Sequence, residues 1–296
     1  MIDQTSRTGD RPAVIAISSH VVRGSVGNRA AAFALESLGF PVWSVPTVTL
    51  PWHPGHGAAT RIVPPPECFD AMMADLAGAR WLGEVGAVLT GYFGAAGQVE
   101  AAARLIEAVR AENPSALILC DPATGDSGRL YQPAAILDAI RDRLIPLADI
   151  ATPNRFELEF LSGLELSSND DLIEAAIALG PHMVVVTSAF PMLKGGTGNL
   201  LVDDRQTILA EHRLIEDAPK GVGDLTAAVF LARLLSGVSQ EKALQSTTAT
   251  VFELLARTTK RGADELTLET DLDSLKHPMA MVQMRRLGRS LPKRPA

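Results

Sequence analysis

VGAVLTGYFGAAGQVEAAARLIEAVRAENPSALILC, residues Val85 to Cys120, holds one complete strand-helix-strand unit. Val85-Gly-Ala-Val-Leu89 and Ala116-Leu-Ile-Leu-Cys120 are short, unbroken apolar runs of strand length. Between them, Val99, Ala102, Ala103, Ile106 and Val109 recur at helical spacing and share one face of a helix over Gln98 to Glu112. Two buried strands joined by such a crossover lie parallel, with the helix covering the sheet. The same rhythm extends outward in both directions. Upstream lie a strand at Ala13-Val-Ile-Ala-Ile17, a helix from Asn28 to Leu38 closed by Gly39, a strand from Val42 to Val45 and a helix from Glu67 to Ala79. Downstream lie a helix from Pro133 to Arg143, a strand at Asp149-Ile-Ala151, a helix from Pro153 to Leu161 and a strand at Met183-Val-Val-Val186. Leu200 to Leu209 breaks the rhythm as two apolar runs around a polar turn, an antiparallel hairpin at one sheet edge, and the chain is mostly helical after Leu225. The expected class is α/β, a three-layer αβα sandwich around a mostly parallel sheet.

Composition narrows the function. The 296 residues are 47% hydrophobic and 21% charged, ordinary for a soluble globular protein. A formal net charge of −7 argues against a nucleic-acid surface, which needs a broad basic field. The only cysteines, Cys68 and Cys120, suggest neither a disulfide framework nor a zinc knuckle. No stretch is apolar enough for a membrane span, and the polar start from Met1 to Arg11 lacks a secretory h-region, so a cytoplasmic protein is expected. No repeat, low-complexity tract or linker divides the chain. We therefore expect a disordered N-terminus over residues 1–10, a single domain over 11–284 and a basic flexible tail over 285–296.

In an open α/β sheet, ligands bind beyond the carboxyl ends of the strands. Those positions carry Ser18-Ser-His-Val-Val-Arg-Gly-Ser-Val-Gly-Asn28, Thr90-Gly-Tyr-Phe-Gly94, Asp121-Pro-Ala-Thr-Gly-Asp126, Thr152-Pro-Asn-Arg-Phe-Glu157 and Thr187-Ser188. Hydroxyls, carboxylates, amides and glycines on one edge suit a phosphorylated ligand and a metal. Further on, Gly221-Val-Gly-Asp224 enters an apolar helix. Glycines let backbone N–H groups approach an anion, and the helix dipole points its positive end at the same place. Asp224 at that entrance is placed to take a proton from a hydroxyl attacking phosphorus. It also fits a plain helix cap, and Glu157 also fits a first-turn carboxylate stabilised by the dipole. Asp121 and Glu157 are candidate ligands for magnesium or its waters. Neither G-x-x-x-x-G-K-[ST] nor G-x-G-x-x-G after the first strand is present, which excludes a P-loop and a dinucleotide fingerprint. Lys194-Gly-Gly-Thr-Gly-Asn199 is a glycine-rich turn before the hairpin.

Taken in order, Ser19-His-Val-Val-Arg-Gly-Ser-Val-Gly-Asn-Arg-Ala-Ala31, Thr90-Gly-Tyr92, Cys120-Asp-Pro-x-x-Gly-Asp126, Thr152-Pro-Asn-x-x-Glu157 and Gly221-Val-Gly-Asp224 resemble the pyridoxal kinases of the ribokinase-like superfamily. The likeness runs from about Ala13 to about Leu255. The resemblance implies ATP-dependent phosphorylation of the 5′-hydroxymethyl group of pyridoxal, and of pyridoxine and pyridoxamine, to give pyridoxal 5′-phosphate in vitamin B6 salvage. By position it implies Asp224 as base and Gly221, Val222 and Gly223 as anion hole. Ser19, Val26, His53 and Tyr92 would hold the substrate beside Asp224. Asp121, Asp126, Tyr131, Thr152, Asn154, Glu157, Thr187 and Ser188 would serve ATP, with Asp121 and Glu157 toward Mg2+. Tyr131 belongs to a flap from Asp126. A monovalent cation is a further candidate cofactor, and a homodimer the implied assembly.

Two segments depart from the family pattern. Leu50-Pro-Trp-His-Pro-Gly-His56 keeps a histidine but places Pro54 where a substrate-contacting threonine is expected, and Asp121-Pro-Ala-Thr-Gly stands where D-P-V-M-G is commoner. Two rival functions follow from the altered loop. One is a related kinase acting on hydroxymethylpyrimidine or another small alcohol, and the other a B6-binding protein with weak turnover.

Overall fold

The computed structural model describes residues 11–126 and 128–288. The expectations for residues 1–10 and for 289–296 lie outside the described residues.

The core is a nine-stranded sheet. Its strands are β1 (Ala13–Val21), β2 (Val42–Leu50), β3 (Val85–Thr90), β4 (Leu117–Cys120), β7 (Ile150–Ala151), β8 (Met183–Ala189), β9 (Gly196–Asp203), β10 (Thr207–Arg213) and β11 (Gln283–Arg286), in the spatial order β11-β10-β9-β8-β7-β4-β3-β1-β2. The strands from β2 across to β8 run parallel, and β8, β9, β10 and β11 alternate antiparallel. A separate two-stranded ribbon pairs β5 (Gly125–Asp126) with β6 (Arg129–Leu130).

Both sheet faces are buried, which is why the strands read as unbroken apolar runs. Ile15 and Ile17 of β1 join one core with α2 (Pro66–Ala77), α3 (Ala96–Glu112), α4 (Ala134–Ala139), α5 (Arg155–Ser162) and α6 (Asn169–Leu179). Val14 joins the opposite core with α1 (Asn28–Ser37), α7 (Val222–Leu235), α8 (Gln240–Lys260) and α9 (Leu272–Lys276). The layers are those expected for a three-layer sandwich. Because α1 leaves β1 over one face and α3 leaves β3 over the other, the carboxyl ends of these adjacent strands open into a crevice.

Several boundaries differ from the sequence expectation. β2 continues through Pro46 to Leu50, tolerated because β2 is an edge strand and the missing N–H removes no ladder bond on its outer side. The β1–β2 register slips between Ser18 and His20. Side chains satisfy the carbonyls there: Asn28 Nδ2 donates to Ser18 O at 3.2 Å and Val45 O at 2.9 Å, and Gln98 Nε2 donates to Thr47 O at 2.8 Å. Helix α6 was not anticipated, although Ser168 and Asp171 form its capping box.

The expected hairpin is β9–β10, but a further strand covers its outer side. The basic stretch expected to be a flexible tail from residue 285 is instead ordered at its start. Arg285 Nε meets Glu211 Oε2 at 2.7 Å and Arg286 meets Glu241 at 2.5 Å, while β11 pairs with β10. Glu211 is 1% exposed, so its charge is held by Arg285 and by the N–H groups of Met192 and Leu193. Arg285→Ala is therefore expected to cost about 1–3 kcal/mol in urea unfolding, whereas Arg286→Ala, between more exposed partners, stays within about 0.5 kcal/mol.

Candidate active site

Asp224 sits in the first turn of α7, and that helix is fixed by its packing. Every residue from Leu225 to Ala232 is buried, so the helix is held along all its faces and its N-terminus points into the crevice. Gly221 adopts φ 96°, and a Cβ there would stand 2.1 Å from Ser25 O, so only glycine fits. The first intrahelical bond runs from Leu225 N to Gly221 O, which leaves the N–H groups of Val222, Gly223 and Asp224 without helical acceptors. Burial pushes the Asp224 carboxyl up to about 6, outweighing the Gly27 N–H and its own N–H, which both donate to the carboxylate.

Asp121 follows β4 and faces the same small cavity as Asp224, together with Ser18, Asn28, Thr90 and Gly91. It is 7% exposed and accepts a hydrogen bond from Thr152 Oγ1 at 3.1 Å. Burial first, then the charges of Glu157 and Asp224, holds its carboxyl well above the usual range. Glu157, 3% exposed, closes a capping box with Asn154. Its Oε2 accepts from Asn154 N at 2.9 Å, and its Oε1 accepts from Thr124 N at 2.7 Å and Gly125 N at 3.3 Å. Burial raises Glu157 to about 7 despite those three donors. Glu157 is thus both a first-turn capping carboxylate and part of the acid group, and it anchors the base of the β5–β6 ribbon. Asn154 Nδ2 adds a bond to Gly125 O at 2.8 Å.

The ribbon carries Asp126 and leads to Tyr131. The Tyr131 N–H donates to Thr124 O at 2.8 Å, and the phenol, 49% exposed, is pushed up to about 12 by burial and then by Asp126 and Glu157. It therefore lies near Asp126 and Glu157. Thr187 and Ser188 lie near the carboxyl end of β8, the Thr187 N–H donating to Pro153 O at 2.9 Å and Ser188 standing at φ 55°.

The residues expected to hold a substrate lie at the carboxyl ends of β1, β2 and β3 and on the loops that follow them. Val26 and Tyr92 pack with Val21, Val48 and Leu50 in a small cluster, and the Tyr92 hydroxyl accepts from Arg61 at 3.4 Å. His53 Nδ1 accepts from Gly55 N at 3.0 Å, and its imidazole is lowered by burial and then by the Lys220 charge, which places it near the glycine loop. Ser19 is 6% exposed and its hydroxyl lies against Gly27. Its neighbour Ser18 lines the Asp224 cavity and accepts from Tyr92 N at 3.1 Å. Strand alternation puts the two serines on opposite sides of β1, but which of them faces the cavity is set by a register that slips between Ser18 and His20. Asn28, also a cavity residue, stood in the quoted motif, and its side-chain amide also donates two structural hydrogen bonds, to Ser18 O and Val45 O.

The acids offer oxygen donors only, the chemistry of a hard divalent cation. Among the described residues, no three His, Cys, Asp or Glu side chains are grouped to cage an ion by themselves. An ion there would depend on phosphate and water for its remaining ligands, as magnesium commonly does.

The chain matches the phosphomethylpyrimidine kinase family profile over residues 69–269. It is 37% identical to the pyridoxal kinase PdxY of Rubrobacter xylanophilus over 282 residues, 93% of this chain and 97% of the relative. It is 36% identical to the PdxY of Pseudomonas paraeruginosa over 276 residues, 90% and 96% of the two chains. A pyridoxal kinase from Leishmania donovani, solved with ADP and pyridoxamine, superposes with a TM-score of 0.88 at 30% identity, covering 94% of this chain and all of the other.

The two glycines of the loop differ in a measurable way. Gly221→Ala introduces a clash at positive φ and is expected to cost about 1–3 kcal/mol of stability in thermal or urea unfolding. A Cβ on Gly223 meets nothing within 4 Å, so Gly223→Ala leaves stability within about 0.5 kcal/mol.

Proposed function

The chain belongs to the pyridoxal kinase family, and we propose that it transfers the γ-phosphoryl group of ATP to the 5′-hydroxymethyl oxygen of pyridoxal, with pyridoxine and pyridoxamine as further acceptors, in B6 salvage. The observation that carries this reading is the position of Asp224. It stands at the glycine-lined entrance of a buried helix and in one cavity with Asp121 and Ser18.

In this reaction the acceptor oxygen forms a bond to the γ-phosphorus as the bond to the β,γ-bridging oxygen breaks, releasing ADP. Asp224 takes the hydroxyl proton at its carboxylate. The backbone N–H groups of Gly221, Val222 and Gly223 receive the negative charge that moves with the phosphoryl group. Asp121, Thr152, Asn154 and Glu157 orient the nucleotide phosphates, with Asp126, Thr187 and Ser188 beside them. Tyr131 shields the phosphates from water, which limits hydrolysis of ATP. Ser19, Val26, His53 and Tyr92 hold the heterocycle. A magnesium ion carried with the nucleotide would lie toward Asp121 and Glu157 and supplies charge neutralisation for the phosphates.

Pro54 keeps a second reading alive, because proline offers the acceptor loop neither a hydroxyl nor an N–H. That reading is a kinase of hydroxymethylpyrimidine. Parallel ATP assays on pyridoxal and hydroxymethylpyrimidine decide between them, with higher kcat/KM expected for pyridoxal and the reverse order overturning the assignment. We further assign the protein to the cytoplasm as a homodimer. Support comes from the family resemblance and from the absence, among the described residues, of any helix long and apolar enough to cross a membrane. Light scattering on the purified protein checks the dimer.

Asp224→Asn is expected to lower kcat by about 10²- to 10⁴-fold while pyridoxal binding, measured by calorimetry, changes little. The base must be ionised to accept a proton. Because burial raises it to about 6 in the free protein, kcat/KM for pyridoxal falls on acidification through that value, and Glu157 at about 7 broadens the same limb. A rate flat from pH 8 to 5 contradicts the assignment.

A further inference from the structure

Three loops that are distant in sequence meet at one buried carboxylate outside the group of acids. Glu265, in the connector after α8, is 9% exposed. Its Oε1 is 2.8 Å from His56 Nε2 and 3.8 Å from Arg23 Nη1. Its neighbour Asp264 takes Arg23 Nη2 on both oxygens at 2.8 Å and lies 3.9 Å from His56 Nδ1. The carboxylate also rests on the backbone of Gly24, where a Cβ would stand 2.5 Å from Cδ and Oε1 and 2.6 Å from Oε2, at φ 103°. Backbone shape and charge thus bring the loops after β1 and β2 onto the same side chain.

Both loops lead directly into the acceptor side. His56 closes the three-residue turn Pro54–His56, and His53, which caps that turn, is bound to it through Gly55 N. Fixing His56 therefore fixes the backbone that presents His53. Arg23 and Gly24 precede Val26 and Gly27, and Gly27 is a donor to Asp224. Among the described residues, Glu265 bonds to His56 and pairs with Arg23, on the two loops after β1 and β2, and makes no hydrogen bond or ion pair with Asp121 or Glu157. We propose that Glu265 is a positioning residue that, through His56 and Gly24, holds the two acceptor-side loops in register with Asp224 and so sets the affinity for the alcohol substrate. This rests on the pyridoxal kinase reading. In a chain with Pro54 in the acceptor loop, placement of that loop falls to a contact outside it.

The test compares steady-state kinetics of wild type with His56→Ala, Glu265→Gln, Gly24→Ala, the double variant His56→Ala/Glu265→Gln, and the conservative His56→Gln, which keeps an N–H donor. Wild-type turnover of pyridoxal with ATP is measured first, so failure of the kinase reading is seen separately. Each of the first three variants is expected to raise KM for pyridoxal about tenfold, with kcat and KM for ATP within about twofold. The double variant is no worse than either single change, because both cut one linkage, and His56→Gln recovers most of the affinity. If Gly24→Ala fails to fold, the other variants carry the comparison. An unchanged KM for pyridoxal in folded variants, or an equal rise in both KM values, overturns the proposal.

Discussion

The site is organised by the burial of carboxylates where water is largely excluded. Asp121 feels both Glu157 and Asp224, and all three are raised above the ordinary carboxylate range with burial as the largest cause. Such a cluster persists only because the scaffold over-determines it. Asp121 is fixed by β4 and by Thr152, Glu157 by a capping box and two ribbon N–H groups, and Asp224 by a helix buried on every side. The arrangement is unfavourable in isolation and becomes favourable when positive charge arrives with a nucleotide. In the proposed reading the acids mark where phosphate and cation would sit, while burial keeps Asp224 poised close to neutral pH.

Much of this was legible in the sequence, for physical reasons that can be named. Strands buried on both faces give uninterrupted apolar runs, so β1, β3, β4 and β8 stand out, and the glycine-acid entry to α7 is local in sequence. The chain belongs to the family that its ordered motifs resembled, and it is a kinase. The full length of β2 was hidden because Pro46 signals a break that an edge strand does not need. The β5–β6 ribbon was invisible as secondary structure, since four residues carry no period and its fold depends on Glu157, more than thirty residues away. Arg285 and Arg286 resembled a loose basic end because their partners, Glu211 and Glu241, are remote in sequence.

The same limit applies to function. Apolar periodicity identified the edge of the sheet where ligands gather, but it did not separate Ser18 from Ser19, which needs the register of a strand that slips at that point. Nor does any local pattern link His56 to Glu265 across 209 positions. Nucleotide-side residues lie near strand ends and are read easily. Residues assigned to the acceptor in the proposed reading sit on loops whose placement is tertiary, and the departure at Pro54 lies in one of them.

The central claim is that one carboxylate faces both the transferring phosphorus and the acceptor alcohol. A crystal structure with pyridoxal, ADP, magnesium and aluminium fluoride tests it most directly. A carboxylate oxygen of Asp224 is expected within about 3 Å of the hydroxymethyl oxygen, with the fluoroaluminate held by the N–H groups of Val222 and Gly223. A hydroxymethyl group directed to another side chain, or a fluoroaluminate away from the glycine loop, would contradict the account.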